Sequence, residues 1–204
     1  SDVHYMQFIL PGIVGMTLLF SSMFSTISVV WDREFGFLRE MLVSPVSRVA
    51  IVAGKLISGT ALSVFQGAAL LFVAPFLGLT IGPLDFLAMV LLMTLLALSI
   101  TAFGLFVASF LTSLEGFNVI MNFIVLPMFF LSGSLYPVDS LPAPLKAVSF
   151  INPLSFGVDS FKHILLPGPG RLSAEFPLFV DVMFITVFSI AFTILSAYVF
   201  ERKK

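Results

Sequence analysis

Residues 31–48 read WDREFGFLREMLVSPVSR, the most polar stretch of a chain that is otherwise almost entirely apolar. Long apolar runs flank it on both sides. Taken as a helix at 100° per residue, residues 33–44 place their aromatic and aliphatic side chains on one broad face and their polar residues on a narrow arc. Pro45 then stops this helix, because proline cannot continue it. The stretch therefore predicts an amphipathic helix that lies along a membrane surface.

The composition points to a lipid environment for the rest of the chain. Of 204 residues, 59% are hydrophobic and 10% are charged, whereas soluble domains carry about 25% charged residues. A soluble domain of this composition could not cover its surface with polar groups. The net charge of −1 gives no reason to expect nucleic acid as a partner, and the absence of cysteine excludes disulfides and thiolate metal sites.

Five apolar runs are each long enough to cross a bilayer. They cover about residues 8–31, 49–79, 86–111, 116–136 and 178–200. Backbone groups in lipid must bond within their own segment, so helices are predicted. A barrel would instead show alternating segments of about ten residues. We therefore expect residues 1–204 to form one all-α transmembrane domain with five spans.

The basic residues predict how the chain is oriented. Seven of the ten lysines and arginines lie in loop 32–55 or in the C-terminal tail, and three lie in the loops on the opposite side. Cytoplasmic loops carry the excess of basic residues. Loop 32–55 and the C-terminus are therefore expected in the cytoplasm, with the N-terminus and residues 137–177 outside.

Two interpretations of the amphipathic helix remain open from the residues alone. The helix either anchors its loop at the membrane surface or presents a rigid face to another protein, since amphipathic helices commonly bind in protein grooves.

Two blocks of sequence resemble the permeases of ABC-2-type transporters. The first is the pattern from Arg33 through Gly36 and Leu42 to Arg48, and the second is LSGSLYPVDSLPAPLKAVSFINPLSFGVDSFKHILL at 131–166. The second block matches at Ser132, Gly133, Tyr136, Pro137, Leu141, Pro142, Asn152, Pro153, Leu154 and Asp159. The blocks occur in the family's order, with the right spans between them. The resemblance covers essentially the whole chain.

The resemblance implies a permease subunit of an ATP-driven exporter in the cell membrane of a prokaryote. Residues 33–45 would be the coupling helix that fits a separate ATPase subunit. The coupling residues would be Arg33, Glu34, Gly36, Leu38, Glu40, Leu42 and Pro45. ATP and Mg²⁺ would be bound by the ATPase subunit. A second permease copy, identical or different, and membrane lipid would complete the partners. Family permeases have six spans, so the first span is expected to be missing here.

Residues 137–166 are too apolar for a free loop and are interrupted by prolines. They predict two short helices, at about 141–151 and 154–165, that re-enter the outer leaflet as the family's do. The segment is interpreted either as an extracellular gate or as a packed cap. The candidate gate residues are Tyr136, Pro137, Asn152, Pro153 and Asp159. Asp159, Lys162 and His163 share a helix face. They are interpreted either as a local ion pair or as a proton relay.

Polar residues inside the spans either line a path or a dimer interface, or serve helix packing. The candidates are Thr17, Ser21, Ser25 and Ser28 in the first span and Asn118 and Asn122 in the fourth. No ionisable residue lies near the middle of a predicted span, which argues against a proton-coupled carrier. It favours an externally driven transporter of amphipathic substrates such as drugs, lipids or glycans.

Nothing in the sequence predicts catalysis. The motifs of nucleotide-binding loops, zinc proteases and serine hydrolases are absent. We therefore expect no catalytic residue, no metal and no cofactor on this chain. The alternative function is a non-transporting membrane assembly or scaffold protein, which would need the spans but not the pattern at 33–45.

Overall fold

The computed structural model describes residues 2–36, 47–79, 81–136, 142–166 and 174–202, and helices are the only regular elements in these ranges apart from one 3₁₀ turn. The helices are α1 (Asp2–Ser25), α2 (Ile27–Glu34), α3 (Arg48–Leu71), α4 (Pro83–Ala108), α5 (Leu114–Phe130), α6 (Ala143–Ser149), α7 (Pro153–Leu165) and α8 (Leu178–Arg202), with the 3₁₀ turn at Ala74–Leu77. The predicted all-α fold class is confirmed, including the two short helices before the last span.

Four helical stretches of the described residues are long and apolar enough to cross a membrane. They are Phe8–Glu34, Val49–Leu71, Pro83–Ala108 and Leu178–Glu201. The other predicted span is the apolar helix α5, which has 17 residues. At about 1.5 Å per residue α5 is about 25 Å long, at the short end of what spans a bilayer. The chain is therefore a multi-pass membrane protein.

Two predicted spans extend further along the chain than the helices do. The apolar run at 49–79 continues past Leu71, but a turn follows α3, and Gly78 ends it with a φ of 75°. The run at 116–136 continues past Phe130, but Gly133 has a φ of 72°. Glycine adopts this left-handed conformation without steric cost. The predicted spans follow the lengths of the apolar runs, whereas the helices end earlier within those runs.

Helix α4 is the centre of the bundle. It packs against α1, α3, α7 and α8, and its Met93, Leu96 and Ile100 are fully buried. Helix α5 is peripheral and packs mainly on α1 and α2. A stripe at four-residue spacing, Phe117, Met121 and Val125, makes that contact, as expected for one face of an amphipathic helix.

The loops gather at two opposite ends of the bundle. We call one the Arg33 end, where α2 ends, α3 begins, and α4 passes into α5. The other is the His163 end, where residues 78–85 lie beside the end of α7 and residues 174–177 lead into α8. The end of α2, the start of α3 and the C-terminal end of α8 thus lie opposite the segment that precedes α8, the relative arrangement that the span count predicts.

Helix α7 lies inside the bundle and is not laid on its surface. Its residues 153–162 are all buried, and it packs against α1, α4 and α8. Two glycines allow this close approach. A Cβ at Gly15 of α1 would overlap the side chain of Val158, and one at Gly157 of α7 would overlap Leu96 of α4.

The variant Gly157→Ala is therefore expected to lower the free energy of unfolding by about 1–3 kcal/mol, the usual cost of overpacking. Leu96 is fully buried, so its side chain has little room to move aside. The matched control is Gly54→Ala in α3, where a Cβ would meet nothing within 4 Å. The control should be neutral or stabilising by up to about 1 kcal/mol, because alanine favours helix. Thermal unfolding in one detergent compares them, and equal midpoints would contradict the packing argument.

Candidate functional site

Three consecutive residues at the end of α2 each bind a different part of the bundle. Asp32 pairs with Lys55 of α3, Arg33 binds the end of α4, and Glu34 binds the start of α5. We call Asp32, Arg33 and Glu34 the DRE clamp. Consecutive helical side chains point about 100° apart, so a short helix at the centre of three neighbours can reach all of them.

Arg33 closes the C-terminal end of α4. Its Nη1 donates to the carbonyl oxygen of Ser109 at 2.9 Å and to that of Leu111 at 2.7 Å. The last carbonyls of a helix have no partner within the helix and carry partial negative charge. A guanidinium is suited to this position because it presents several donors in a fixed plane. These charge-assisted bonds hold the end of α2 against the turn between α4 and α5.

Glu34 binds the next helix along the chain. Its Oε2 accepts a hydrogen bond from the backbone N–H of Leu114 at 3.0 Å, at the first residue of α5. The N-terminus of a helix carries partial positive charge, which favours a carboxylate. Ser113 caps the same helix, since its Oγ accepts from the N–H of Gly116. The Glu34 side chain is exposed, so its bond fixes position more than it adds stability.

Asp32 connects the clamp to α3. The Nζ of Lys55 lies 2.5 Å from Asp32 Oδ2 and donates to Ser28 Oγ at 3.1 Å. Both partners of the ion pair are partly buried, with about one fifth of each side chain exposed. The pair is therefore less screened by solvent than a fully exposed pair.

The surroundings of Arg33 and Glu34 differ from the sequence prediction. Both were predicted in a separate coupling helix, facing an ATPase subunit. They lie instead in the last turn of α2, bound to the turn between α4 and α5. Gly36 follows with a φ of 83°, after the helix has ended. Leu38, Glu40, Leu42 and Pro45 lie outside the described residues, so their part of the coupling helix stays a prediction.

Sequence reasoning missed the partners in this contact. Arg33 is separated from Ser109 by 76 residues and Glu34 from Leu114 by 80. No spacing rule joins positions so far apart. The sequence signal that was available is the pairing of Ser113 with α5 as an N-cap, which marks a turn that could accept a partner.

The polar strip of the first span lies partly against α3. Ser25 faces Gly59 closely, and Ser28 accepts the bond from Lys55. Thr17 and Ser25 also bond to backbone carbonyls of their own helix, and Ser21 Oγ is buried without a hydrogen bond among the described residues. Ser22, which sequence reasoning did not select, donates to Ser63 of α3 at 2.9 Å. The contacts of Ser22, Ser25 and Ser28 join the first span to α3, and a role of the strip in a path or a dimer interface stays a prediction.

The two asparagines of α5 lie on its exposed face. Asn122 Nδ2 donates to the carbonyl of Asn118 at 2.8 Å, and both residues are exposed. Val119 and Phe123 beside them are 70% and 81% exposed. Among the described residues, this exposed face of α5 combines amide groups with large apolar side chains.

The candidate gate residues fasten α7 to the end of α5. Asn152 caps α7 by accepting from the N–H of Leu154 at 3.0 Å, and its Nδ2 donates to the carbonyl of Met128 at 2.7 Å. Pro153 occupies the first turn of α7, where its missing N–H costs nothing. Tyr136 donates to the carbonyl of Phe130 at 2.5 Å. Pro137 lies outside the described residues, and the gating role stays a prediction.

Asp159 holds the chain that enters α8. Its carboxylate accepts from the backbone N–H of Glu175 at 2.9 Å and of Phe176 at 2.8 Å. Lys162 Nζ lies 3.5 Å from Asp159 Oδ1, so the local ion pair that the spacing predicts is present. His163 Nε2 lies 2.8 Å from the carbonyl of Phe176. A cavity of about 380 Å³ opens beside His163 and is also lined by Leu79 and Asp85, among others.

Comparison with known proteins adds a family to this geometry. A family model described as ABC-2 type transporter matches residues 2–166. The inner membrane transport permease YadH of Escherichia coli K12 is 27% identical over 211 residues, which cover 99% of this chain and 78% of that protein. The putative transport permease ycf38 of Cyanophora paradoxa is 31% identical over 163 residues, 79% of this chain and 56% of that protein.

A third relative is the probable multidrug ABC transporter permease YbhR of Escherichia coli K12. It is 28% identical over 170 residues, which cover 81% of this chain and 45% of that protein. The chain thus spans about half the length of two of these three relatives and most of the third. Because the family model matches well over half of the chain, the chain belongs to the ABC-2 type transporter family.

Proposed function

We propose that this chain is the membrane permease of an ATP-driven exporter whose ATPase is a separate subunit. The family and the names of the relatives support the permease role. The chain lacks a nucleotide-binding loop, so ATP and Mg²⁺ would be bound by the partner. The chain itself would perform no chemical step, and its contribution is a path that opens when the partner moves.

The DRE clamp is the observation that carries the proposal. Residues 37–46 connect the clamp directly to α3 along the chain. If the ATPase subunit displaced this loop towards the bundle, α2 would move with it. Through the three partners of the clamp, the same displacement would act on α3, α4 and α5 together. Packed elements move as units because protein interiors are dense. One docking point on the loop could therefore reorient three spans.

A second permease copy would cover the exposed face of α5. Amide groups facing lipid have no water to bond, which makes such a surface costly. A second chain that presents its own amides and apolar side chains would satisfy Asn118 and Asn122 and bury Phe123. Hydrogen bonds and close packing are the interactions that associate helices in membranes. The same face in two copies would border a path between them.

The Arg33 end is proposed to face the cytoplasm, because it carries most of the basic residues. Export would then run from the DRE clamp towards the His163 end. In the described spans, charged residues lie only towards the helix ends. A span without a charge near its middle favours an amphipathic substrate, such as a drug, a lipid or a glycan, over a small ion.

The proposal predicts that Glu40→Arg abolishes association with the partner ATPase subunit. Glu40 is expected on the docking face, and reversing one charge in an interface costs several kcal/mol. Full-length permease and ATPase would be co-expressed, co-purified in detergent and assayed for ATP hydrolysis. Asp85→Arg, an exposed charge reversal at the opposite end, is the control.

The proposal fails if no ATPase co-purifies with the wild-type permease. It also fails if Glu40→Arg binds and stimulates the ATPase as the wild type does. Either result would leave residues 33–45 as an interfacial anchor and would favour an assembly or scaffold protein.

A further inference from the structure

The cavity at the His163 end is large enough for a small organic ligand. Its volume is about 380 Å³, and ligand pockets typically measure about 300–1,000 Å³. Two parts of the chain form it. Gly78, Leu79, Ile81 and Asp85, which lead from the 3₁₀ turn into α4, line one side, and the last three residues of α7 line the other.

Most of the lining is apolar. Leu79, Ile81 and Ile164 are partly buried, and Leu165 is 3% exposed, so these side chains are held by the bundle behind them. An apolar group that enters the cavity loses its contact with water, which favours binding in proportion to the area buried. The cavity therefore suits a ligand with an apolar body.

The two polar side chains of the lining can accept hydrogen bonds from a ligand. Asp85 is exposed, and its Oδ2 accepts from the N–H of Gly82 at 3.3 Å, which leaves Oδ1 for a ligand. The Nε2 of His163 lies 2.8 Å from the carbonyl oxygen of Phe176. Because a carbonyl only accepts, the proton is on Nε2, and the neutral ring accepts at Nδ1.

The backbone of the lining also favours a positive group. The N–H groups of Gly78 and Leu79 are already bonded within their own turn. The last carbonyls of α7 have no partner within the helix and carry partial negative charge. The carbonyl of His163 cannot be paired at i+4, because residue 167 is a proline and has no N–H. The start of α4 carries the opposite partial charge, which Asp85 in its first turn offsets.

The charges around the cavity have the same sign. Among the described residues, no lysine or arginine belongs to the lining. Lys162 precedes His163, but its Nζ lies 3.5 Å from Asp159 Oδ1 and 5.6 Å from the centre of the Phe8 ring. Behind His163 lies the fully buried Asp181, with Oδ2 3.7 Å from Nε2. The described surroundings therefore favour a cationic ligand over an anionic one.

We propose that this cavity binds a protonated amine that carries a compact apolar body. The ammonium lies between Asp85 and the C-terminal end of α7, and the apolar body packs against Leu79, Ile81 and Ile164. An ammonium group is suited to this position because it has three donors and no acceptor. A role for the cavity as the last site that cargo meets rests on the proposed function, whereas the binding itself does not.

The test uses the full permease in lipid nanodiscs and three probes of nearly the same shape. They are 1-adamantylamine, which is a cation at neutral pH, the neutral 1-adamantanol and the anion adamantane-1-carboxylate. Calorimetry measures binding, and empty nanodiscs give the contribution of the lipid. We expect one amine per chain, weaker binding of the alcohol and the weakest binding of the carboxylate. Added salt should weaken the binding of the amine but not of the alcohol, because salt screens charges.

Two variants separate the charge from the apolar wall. Asp85→Asn should weaken amine binding by about three- to tenfold, since it removes a bond to a charged but exposed group, and should leave alcohol binding unchanged. Leu79→Ala should weaken the binding of both probes, because both lose the same apolar contact. The matched control is Glu115→Gln, which alters another exposed acid in the first turn of a helix, at the Arg33 end. It should bind as the wild type does.

Three results would overturn the proposal. The first is binding to the wild type that does not exceed binding to empty nanodiscs. The second is a carboxylate or an alcohol that binds as tightly as the amine, and the third is full amine affinity in Asp85→Asn. Since Asp85 is exposed, its variant keeps the test decisive if Leu79→Ala does not fold. No ATPase takes part in these measurements, so their failure is distinct from failure of the proposed function.

Discussion

Arg33→Met is expected to leave the permease bound to its ATPase subunit but to reduce the stimulation of ATP hydrolysis by about tenfold or more. The substitution removes both bonds from Arg33 to the end of α4. Hydrogen bonds to a charged group contribute about 1.5–3 kcal/mol each, and 1.4 kcal/mol corresponds to a factor of ten. Binding should persist because both hydrogen bonds removed by the substitution are made within the bundle. The measurement is co-purification together with ATPase activity of the complex.

Two further variants separate geometry from charge. Arg33→Lys keeps the charge but loses the planar donors, so partial coupling is expected. Glu34→Gln weakens the bond to the start of α5 and should reduce coupling less than Arg33→Met does. Glu115→Gln, an exposed glutamate in the first turn of the same helix, is its matched control and should not change coupling. Loss of ATPase binding by Arg33→Met would show that this residue belongs to the docking surface instead.

Asp159→Ala is expected to have the largest effect on stability. It removes the acceptor for the N–H groups of Glu175 and Phe176 and leaves Lys162 buried without its carboxylate. Breaking a buried pair in this way costs about 3–5 kcal/mol. For a chain of this size the unfolding midpoint should fall by about 10 °C or more. Thermal unfolding in one detergent measures the effect.

Two conservative substitutions serve as controls for Asp159→Ala. Asp159→Asn keeps one carbonyl acceptor but loses the charge, so an intermediate midpoint is expected. Asp85→Asn alters an exposed helix-capping carboxylate and should shift the midpoint by little. If Asp159→Ala unfolds at the wild-type temperature, the segment before α8 is held by its aromatic contacts alone, such as Phe156 against Phe176.

Much of the fold could be predicted because lipid imposes a simple rule. Backbone groups must bond within a segment, so a long apolar run predicts a helix. Prolines interrupt residues 137–166, where two short helices were predicted, and the structure has helices at Ala143–Ser149 and Pro153–Leu165. Helix ends were less predictable. Leu71 ends α3 well inside an apolar run, because the chain turns on backbone geometry at Gly78 and not on a change of polarity.

The contacts of the candidate site depend on the tertiary structure more than its sequence does. The sequence by itself determined that α2 leads into a polar stretch at 31–48 and that this stretch joins two spans, since polarity and length are local properties. Only the tertiary structure decided that Arg33 binds the carbonyls at the end of α4, 76 residues away, and that Asp181 returns to Asp159 and His163. Such contacts depend on which helix faces pack together. That choice is made by the shapes of side chains such as Gly157 and Leu96 across the whole bundle.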